Sequence, residues 1–95
     1  MNKYEVMFIL MAEQTDEAIA AQIEKFQKIV ADNSGTVTET KLWGKRRLAY
    51  PIQYKNEGYY VLMYMETDPS FPVELERNFK NDEQVLRFMI VRIEE

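Results

Sequence analysis

The chain has 95 residues, about the length of one domain, and its 12 Lys and Arg against 16 Asp and Glu give a net charge of −4. It contains neither cysteine nor histidine, which excludes disulfides, thiolate catalysis, Cys/His metal sites and the usual acid–base catalyst near neutral pH. No apolar stretch approaches roughly 18 residues, and no basic segment precedes an apolar one near the start. We therefore expect residues 1–95 to form one cytoplasmic domain without a cofactor, a metal, a membrane span or a secretory signal.

The charges are unevenly distributed along the chain. Residues 40–56 contain five basic and no acidic side chains, whereas residues 57–76 contain five acidic and no basic ones. Residues 77–93 carry four basic against two acidic side chains. The acidic average is not typical of a nucleic-acid binder that acts alone, but this segregation can build basic and acidic faces on one small domain.

The first third of the chain predicts a strand followed by a helix. Tyr4–Leu10 combines β-branched, aromatic and aliphatic residues, and its even-numbered positions are all apolar, so that face should meet the core. Thr15 precedes two acidic residues and predicts an N-cap. Apolar residues then recur at helical spacing, at Ile19, Ile23, Phe26 and Val30. We expect this helix to end at residues 33–35, with Gly35 in the left-handed conformation.

The middle of the chain is typical of strands. Thr36–Thr40 and Leu48–Ile52 both have strand composition, and Gly44 between them indicates either a bulge in one long strand or a break between two short ones. Pro51 has no N–H to donate, which places the end of this strand at an edge of the sheet. Residues 55–58 have the composition of a hairpin turn, and Tyr59–Glu66 is the next strand.

The last third predicts a short helix and a final strand. Residues 68–70 stop the preceding strand and offer a cap for the helix, in which Leu75 and Phe79 should face the core. Val85–Ile93 is the last strand. The order is therefore βαββαβ. Short connections and right-handed crossovers favour an α+β, ferredoxin-like split β-α-β sandwich, with a four-stranded antiparallel sheet and two helices on one face.

This arrangement leaves one face of the sheet without helices, and in a monomer that face should be polar. Instead, both faces of the strand at residues 59–65 are apolar, and neighbouring strands extend the second apolar face with Met7, Ile9, Met89 and Val91. We interpret this face as a docking surface for a protein, although an ordinary surface patch is the alternative. Alternation in the last strand places Arg87 on this open face and Leu86 on the other.

Basic residues provide two candidate contacts with phosphate. The run Lys41–Arg47 either contacts phosphate, with Trp43 stacking on a base, or protects an exposed strand from edge-to-edge aggregation. Arg87 and Arg92 are either solvated charges of the last strand or contacts with phosphate. The third strand does not match the RNA-recognition-motif signature, which requires a basic residue where this chain has Glu57. No nucleophile–base pair or phosphate-binding loop is present, so we expect no enzymatic activity.

The stretch Gly-Lys-Arg-Arg-Leu-Ala-Tyr-Pro-Ile at residues 44–52, followed by Gly-Tyr-Tyr at 58–60, resembles the bacterial small-subunit ribosomal protein six family. Residues 3–6 and 85–89 also match, so the resemblance covers essentially the whole chain. It implies the ferredoxin-like fold, no enzymatic activity, no small-molecule substrate and a cytoplasmic location on the ribosome. It also implies binding to the central domain of small-subunit ribosomal RNA, and a heterodimer with small-subunit ribosomal protein eighteen.

The same resemblance implies roles for particular residues. Lys3, Arg87 and Arg92 should face RNA. The residues expected at or near the partner protein are Arg46, Arg47, Leu48, Tyr60 and Leu62. Asn2 stands where the family often has a basic residue, which weakens the expected N-terminal phosphate contact. The alternative function is a self-associating ferredoxin-like module, in which the apolar sheet face pairs with its own copy.

Overall fold

Six secondary-structure elements follow the order that the sequence predicts. The computed structural model describes residues 1–52 and 55–93. Its elements are β1 (Asn2–Met11), α1 (Asp16–Asp32), β2 (Thr36–Ile52), β3 (Lys55–Thr67), α2 (Phe71–Lys80) and β4 (Val85–Ile93). The strands form one sheet in the order β2-β3-β1-β4, with every neighbouring pair antiparallel. Both helices pack on the same face, which confirms the ferredoxin-like sandwich.

The even-numbered residues of β1 lie at the centre of the core, as predicted. Val6, Phe8 and Leu10 have no exposed surface. The same core contains the alternate residues of β3 that face the helices, Val61, Met63 and Met65. From α1 it receives the predicted stripe, Ile19, Ile23, Phe26 and Val30. The strand period and the helix period therefore identify the two sides of one core.

The beginning of α1 agrees with the sequence prediction, whereas its end differs from it. The hydroxyl of Thr15 accepts a hydrogen bond from the Ala18 backbone N–H at 3.1 Å, so Thr15 is the N-cap. At the other end, Ser34 and not Gly35 has the left-handed backbone, with φ 67°. The Gly35 N–H donates to the Val30 carbonyl at 2.9 Å, which is the 6→1 hydrogen bond of a Schellman motif. Glycine is needed at 35 for space, because a Cβ there would lie 2.8 Å from Cγ1 of Val30.

β2 is one long edge strand and not two short ones. It runs for 17 residues through Gly44, which has φ 81°. The pairing with β3 shifts between Leu42 and Gly44, so this glycine accommodates a bulge in a conformation that side chains disfavour. The edge position agrees with the prediction from Pro51.

The predicted turn at residues 55–58 is wrong, because these residues belong to β3. Gly58 lies opposite Arg46, and Ile52 pairs with Lys55. Gly58 does not form a turn; it allows β3 to lie close to Ile9 of β1. A Cβ at this position would lie 2.3 Å from Cγ2 of Ile9, so any side chain here would collide with β1.

The predicted orientation of Leu86 is wrong, because a bulge in β4 turns this side chain to the other face of the sheet. Ile9 pairs with Arg87 and Leu10 pairs with Val85, so Leu86 has no partner in the β1–β4 ladder. It turns to the open face and packs with Ile9, although simple alternation places it on the helix face. The extra residue shifts the alternation locally, and Arg87 keeps the predicted open face.

α2 attaches to the sheet through an aromatic cluster. The ring centroid of Phe79 lies 5.1 Å from that of Phe8, 4.6 Å from Phe26 and 5.2 Å from Phe88. Leu75 is also fully buried, so both predicted core residues of α2 are confirmed. This cluster joins both helices to β1 and β4, the strands on which Lys3, Arg87 and Arg92 lie.

Candidate nucleic-acid and partner interface

The C-terminal end of β2 folds over the open face of the sheet. In this covering segment (Leu48–Ile52), Leu48 is 8% exposed and packs with Ile9 of β1 and Leu86 of β4. β2 and β4 are opposite edges of the sheet, so residues near the end of β2 have to lie over the open face to reach β4, while Ile52 stays paired with Lys55 of β3. The covering segment therefore occupies part of the apolar face that the sequence predicts to be open.

Tyr50 of the covering segment reaches Arg87 of β4. Nη1 of Arg87 donates a hydrogen bond to the phenol oxygen of Tyr50, and the guanidinium carbon lies 5.9 Å from the ring centroid. Both side chains are exposed. The sequence prediction missed Tyr50, since strand alternation carries no information about a contact between the two edges of a sheet.

The three basic residues predicted to face RNA occupy two positions on β1 and β4. Arg92 lies opposite Tyr4 and next to Lys3 on the neighbouring strand, so Lys3 and Arg92 share one end of the sheet. They lie on opposite faces there, as alternation predicts. Arg87 lies opposite Ile9, about 20 Å farther along β1. A ligand that contacts all three side chains has to be extended.

Lys3 lies beside a carboxylate, whereas the hydroxyl that contacts Arg87 is neutral. Nζ of Lys3 is 3.9 Å from Oε1 of Glu66, and the side chains are 49% and 40% exposed. An ion pair this exposed contributes at most about 1 kcal/mol, so a phosphate group can compete for the ammonium. The Tyr50 hydroxyl leaves the positive charge of Arg87 uncompensated at that contact.

The five residues predicted to meet the partner protein lie on the β2–β3 side of the sheet. Arg46 and Arg47 are exposed, and Tyr60 is half-buried. Leu48 and Leu62 are buried, at 8% and 7% exposure. The chain itself covers the two leucines, so this surface presents two guanidinium groups and one aromatic ring.

The accessible part of the open face is centred on β4. Met89 is 50% exposed and Val91 is 46% exposed, and they lie opposite Met7 and Glu5 of β1. These apolar side chains lie beyond the covering segment, and nothing in the described part of the chain buries them fully. They were predicted on the open face from alternation, and this placement is confirmed.

The basic run of β2 contacts aromatic rings of its own chain. Nζ of Lys41 lies 5.7 Å from the ring centroid of Tyr64, and the Arg46 guanidinium lies 5.6 Å from that of Trp43. The run lies on an edge strand, the position that protection against aggregation requires. Trp43 is 47% exposed, so its ring is also accessible for stacking on a base, as the alternative interpretation requires.

Other kinds of site find no support among residues 1–52 and 55–93. Over these residues, no group of three or more carboxylates is arranged to hold a metal ion. No helix in the same ranges is long and apolar enough to cross a bilayer. On α2, a hydrogen bond from Arg77 lowers the pKa of the Glu74 carboxyl below its usual range, but this pair lies on the helix layer, away from the open face.

Sequence and fold match one family over nearly the whole chain. The model of the family described as Ribosomal protein S6 matches residues 3–92. The small ribosomal subunit protein bS6 of Clostridium novyi is 45% identical over 94 residues, and that of Clostridium acetobutylicum is 42% identical over 94 residues; each match covers 99% of both chains. The crystal structure of 30S ribosomal protein S6 from Thermotoga maritima is similar with a TM-score of 0.92 at 28% identity, over 97% of this chain and 87% of that one.

Proposed function

Because the chain belongs to the ribosomal protein S6 family, we propose that it binds the central domain of small-subunit ribosomal RNA as a heterodimer with small-subunit ribosomal protein eighteen. Membership of this family makes the chain a structural component of the small ribosomal subunit in the bacterial cytoplasm, and not an enzyme. In this proposal the chain binds no small-molecule substrate, no cofactor and no membrane.

In this proposal, Lys3, Arg87 and Arg92 contact RNA phosphates. The observation that carries it is the exposure of all three basic side chains along β1 and β4 in a chain whose net charge is −4. Arg87 lies about 20 Å along β1 from the end of the sheet that Lys3 and Arg92 share, a distance that fits the backbone of an extended RNA segment better than a single phosphate. Phosphate contacts fix the orientation of a protein on RNA without selecting its sequence.

The partner protein docks on the β2–β3 side. Arg46, Arg47 and Tyr60 make direct contact, while the buried Leu48 and Leu62 support that surface from below. A basic partner supplies the positive charge that this acidic chain lacks, which resolves the conflict between its composition and RNA binding. The exposed apolar residues of β4 extend the docking surface toward the proposed RNA contacts.

The RNA contact is tested with the double variant Arg87→Ala/Arg92→Ala in the two-protein complex. We expect its affinity for a central-domain RNA fragment to fall at least about tenfold, because two charge-assisted hydrogen bonds are lost. The log–log salt slope should decrease in magnitude by about 1.5, since each phosphate contact contributes roughly 0.7–0.9. Filter binding or fluorescence anisotropy across a salt series measures both quantities.

A matched control removes the same charge elsewhere. Arg77→Ala/Lys80→Ala also deletes two positive charges, from exposed positions of α2 on the helix layer. Its affinity should stay within about twofold and its slope should not change. If the Arg87/Arg92 variant binds like this control while it still folds and binds its partner, RNA does not contact these two arginines.

The partner assignment is tested by sedimentation. We expect the isolated chain to sediment as a monomer at micromolar concentration, and to form a one-to-one complex with small-subunit ribosomal protein eighteen. The reason is that most of the apolar face near β2 is already covered by its own chain, which leaves mainly Met89 and Val91 exposed on the open face among the described residues. A stable homodimer that the partner does not change would favour the self-associating module instead.

A further inference from the structure

The contact between Tyr50 and Arg87 joins two strands that are not neighbours in the sheet. β3 and β1 lie between them, so residues at the same level of β2 and β4 are separated by about 14 Å. The covering segment closes this distance, because Leu48 is buried against Ile9 and Leu86 and thereby carries Tyr50 across the sheet. The position of Tyr50 is thus set by buried apolar packing, although its own side chain is 57% exposed.

The chemistry of the contact leaves Arg87 able to bind an anion. Nη1 of Arg87 donates to the Tyr50 hydroxyl, while the guanidinium has further N–H groups and keeps its full charge. A neutral acceptor does not compete electrostatically with phosphate, in contrast to the Glu66 carboxylate beside Lys3. A long exposed arginine side chain otherwise samples many rotamers, and ordering it on binding costs conformational entropy.

We propose that Tyr50 is a positioning residue that holds the Arg87 guanidinium in place for an RNA phosphate. This inference rests on the proposed function, because it takes Arg87 as a phosphate contact. The hydroxyl of Tyr50 fixes one side of the guanidinium, and the phosphodiester binds the remaining N–H groups. The covering segment therefore contributes to RNA affinity without itself contacting RNA.

The experiment compares Tyr50→Phe, Arg87→Ala and the double variant in the two-protein complex, with the same central-domain RNA fragment. Tyr50→Phe keeps the ring and removes only the hydroxyl. We expect it to weaken binding about three- to tenfold, the range that one hydrogen bond typically contributes. Its salt slope should not change, because the phosphate is still neutralised, whereas Arg87→Ala should reduce the slope by roughly 0.7–0.9. In the Arg87→Ala background, Tyr50→Phe should have no further effect.

Two controls exclude a structural cause. Tyr59→Phe also removes one hydroxyl, but from a side chain packed against the main core on the opposite face, and it should leave RNA affinity unchanged. The thermal melting temperature of Tyr50→Phe should equal that of the unaltered chain, because the hydroxyl is exposed. A drop in affinity with no change in melting temperature supports positioning.

The outcomes separate this inference from the proposed function. If Arg87→Ala weakens RNA binding and Tyr50→Phe does not, the positioning role is wrong and the phosphate contact stands. If Tyr50→Phe weakens binding equally with and without Arg87, Tyr50 acts independently, which also overturns positioning. If Arg87→Ala changes neither the affinity nor the slope, the RNA contact at Arg87 fails and the inference fails with it.

Discussion

Replacing Phe79 by Ala should lower the free energy of unfolding by about 3–5 kcal/mol. Phe79 is 1% exposed, and its ring contacts those of Phe8, Phe26 and Phe88. The substitution removes the central ring of this cluster and leaves a cavity that the surrounding rings cannot fill without losing their other contacts. Urea denaturation followed by circular dichroism measures the change in free energy.

Val73→Ala is the control on the same helix. Val73 is 72% exposed, so its loss should change the free energy of unfolding by less than about 0.5 kcal/mol. A loss below about 1 kcal/mol for Phe79→Ala would mean that α2 does not depend on this cluster for its attachment to the sheet.

Replacing Leu48 by Ala should lower the free energy of unfolding by about 2–4 kcal/mol. Leu48 is the residue of the covering segment that is buried against Ile9 and Leu86 on the open face. Its truncation leaves a cavity between β2 and the sheet and weakens the attachment of the covering segment. Urea denaturation gives the stability change, and amide hydrogen exchange of the covering segment should become faster.

Leu42→Ala removes the same atoms from an exposed position of the same strand. Leu42 is 57% exposed, and its truncation should cost less than about 1 kcal/mol. Equal losses for Leu48→Ala and Leu42→Ala would show that the covering segment is not packed on the sheet in solution. That result would also remove the structural basis of the contact between Tyr50 and Arg87.

The proposed RNA contacts and the proposed partner contacts lie in different parts of the sheet. The side chains proposed to contact RNA lie on β1 and β4, whereas Arg46, Arg47 and Tyr60, which are proposed to contact the partner, lie on β2 and β3, so the sheet order places these two sets of side chains on opposite halves of the domain. The covering segment is attached to both halves, through its origin in β2 and through Tyr50 at Arg87. RNA and partner can therefore bind at the same time without competing for a side chain.

Features that repeat along the chain were predictable from local patterns. The alternation in β1 and the spacing of Ile19, Ile23, Phe26 and Val30 depend only on the geometry of one strand and one helix. Thr15 was recognisable as a cap because its bond to Ala18 lies within one helical turn. The order of elements followed from these signals, and the order together with general connection rules was sufficient for the fold.

Features that depend on contacts between distant residues required the folded chain. The orientation of Leu86 depends on a bulge that exists only when β4 pairs with β1. Glycine is required at position 58 because Ile9 of another strand leaves no room for a side chain there. Of the candidate site, Arg87 and Arg92 were candidates from their place in the last strand, and Lys3 came from the resemblance to a family. Neither source predicted the burial of Leu48 or the contact of Tyr50 with Arg87. These contacts join residues 37 or more positions apart, and no local period encodes which strand a long edge strand will cover.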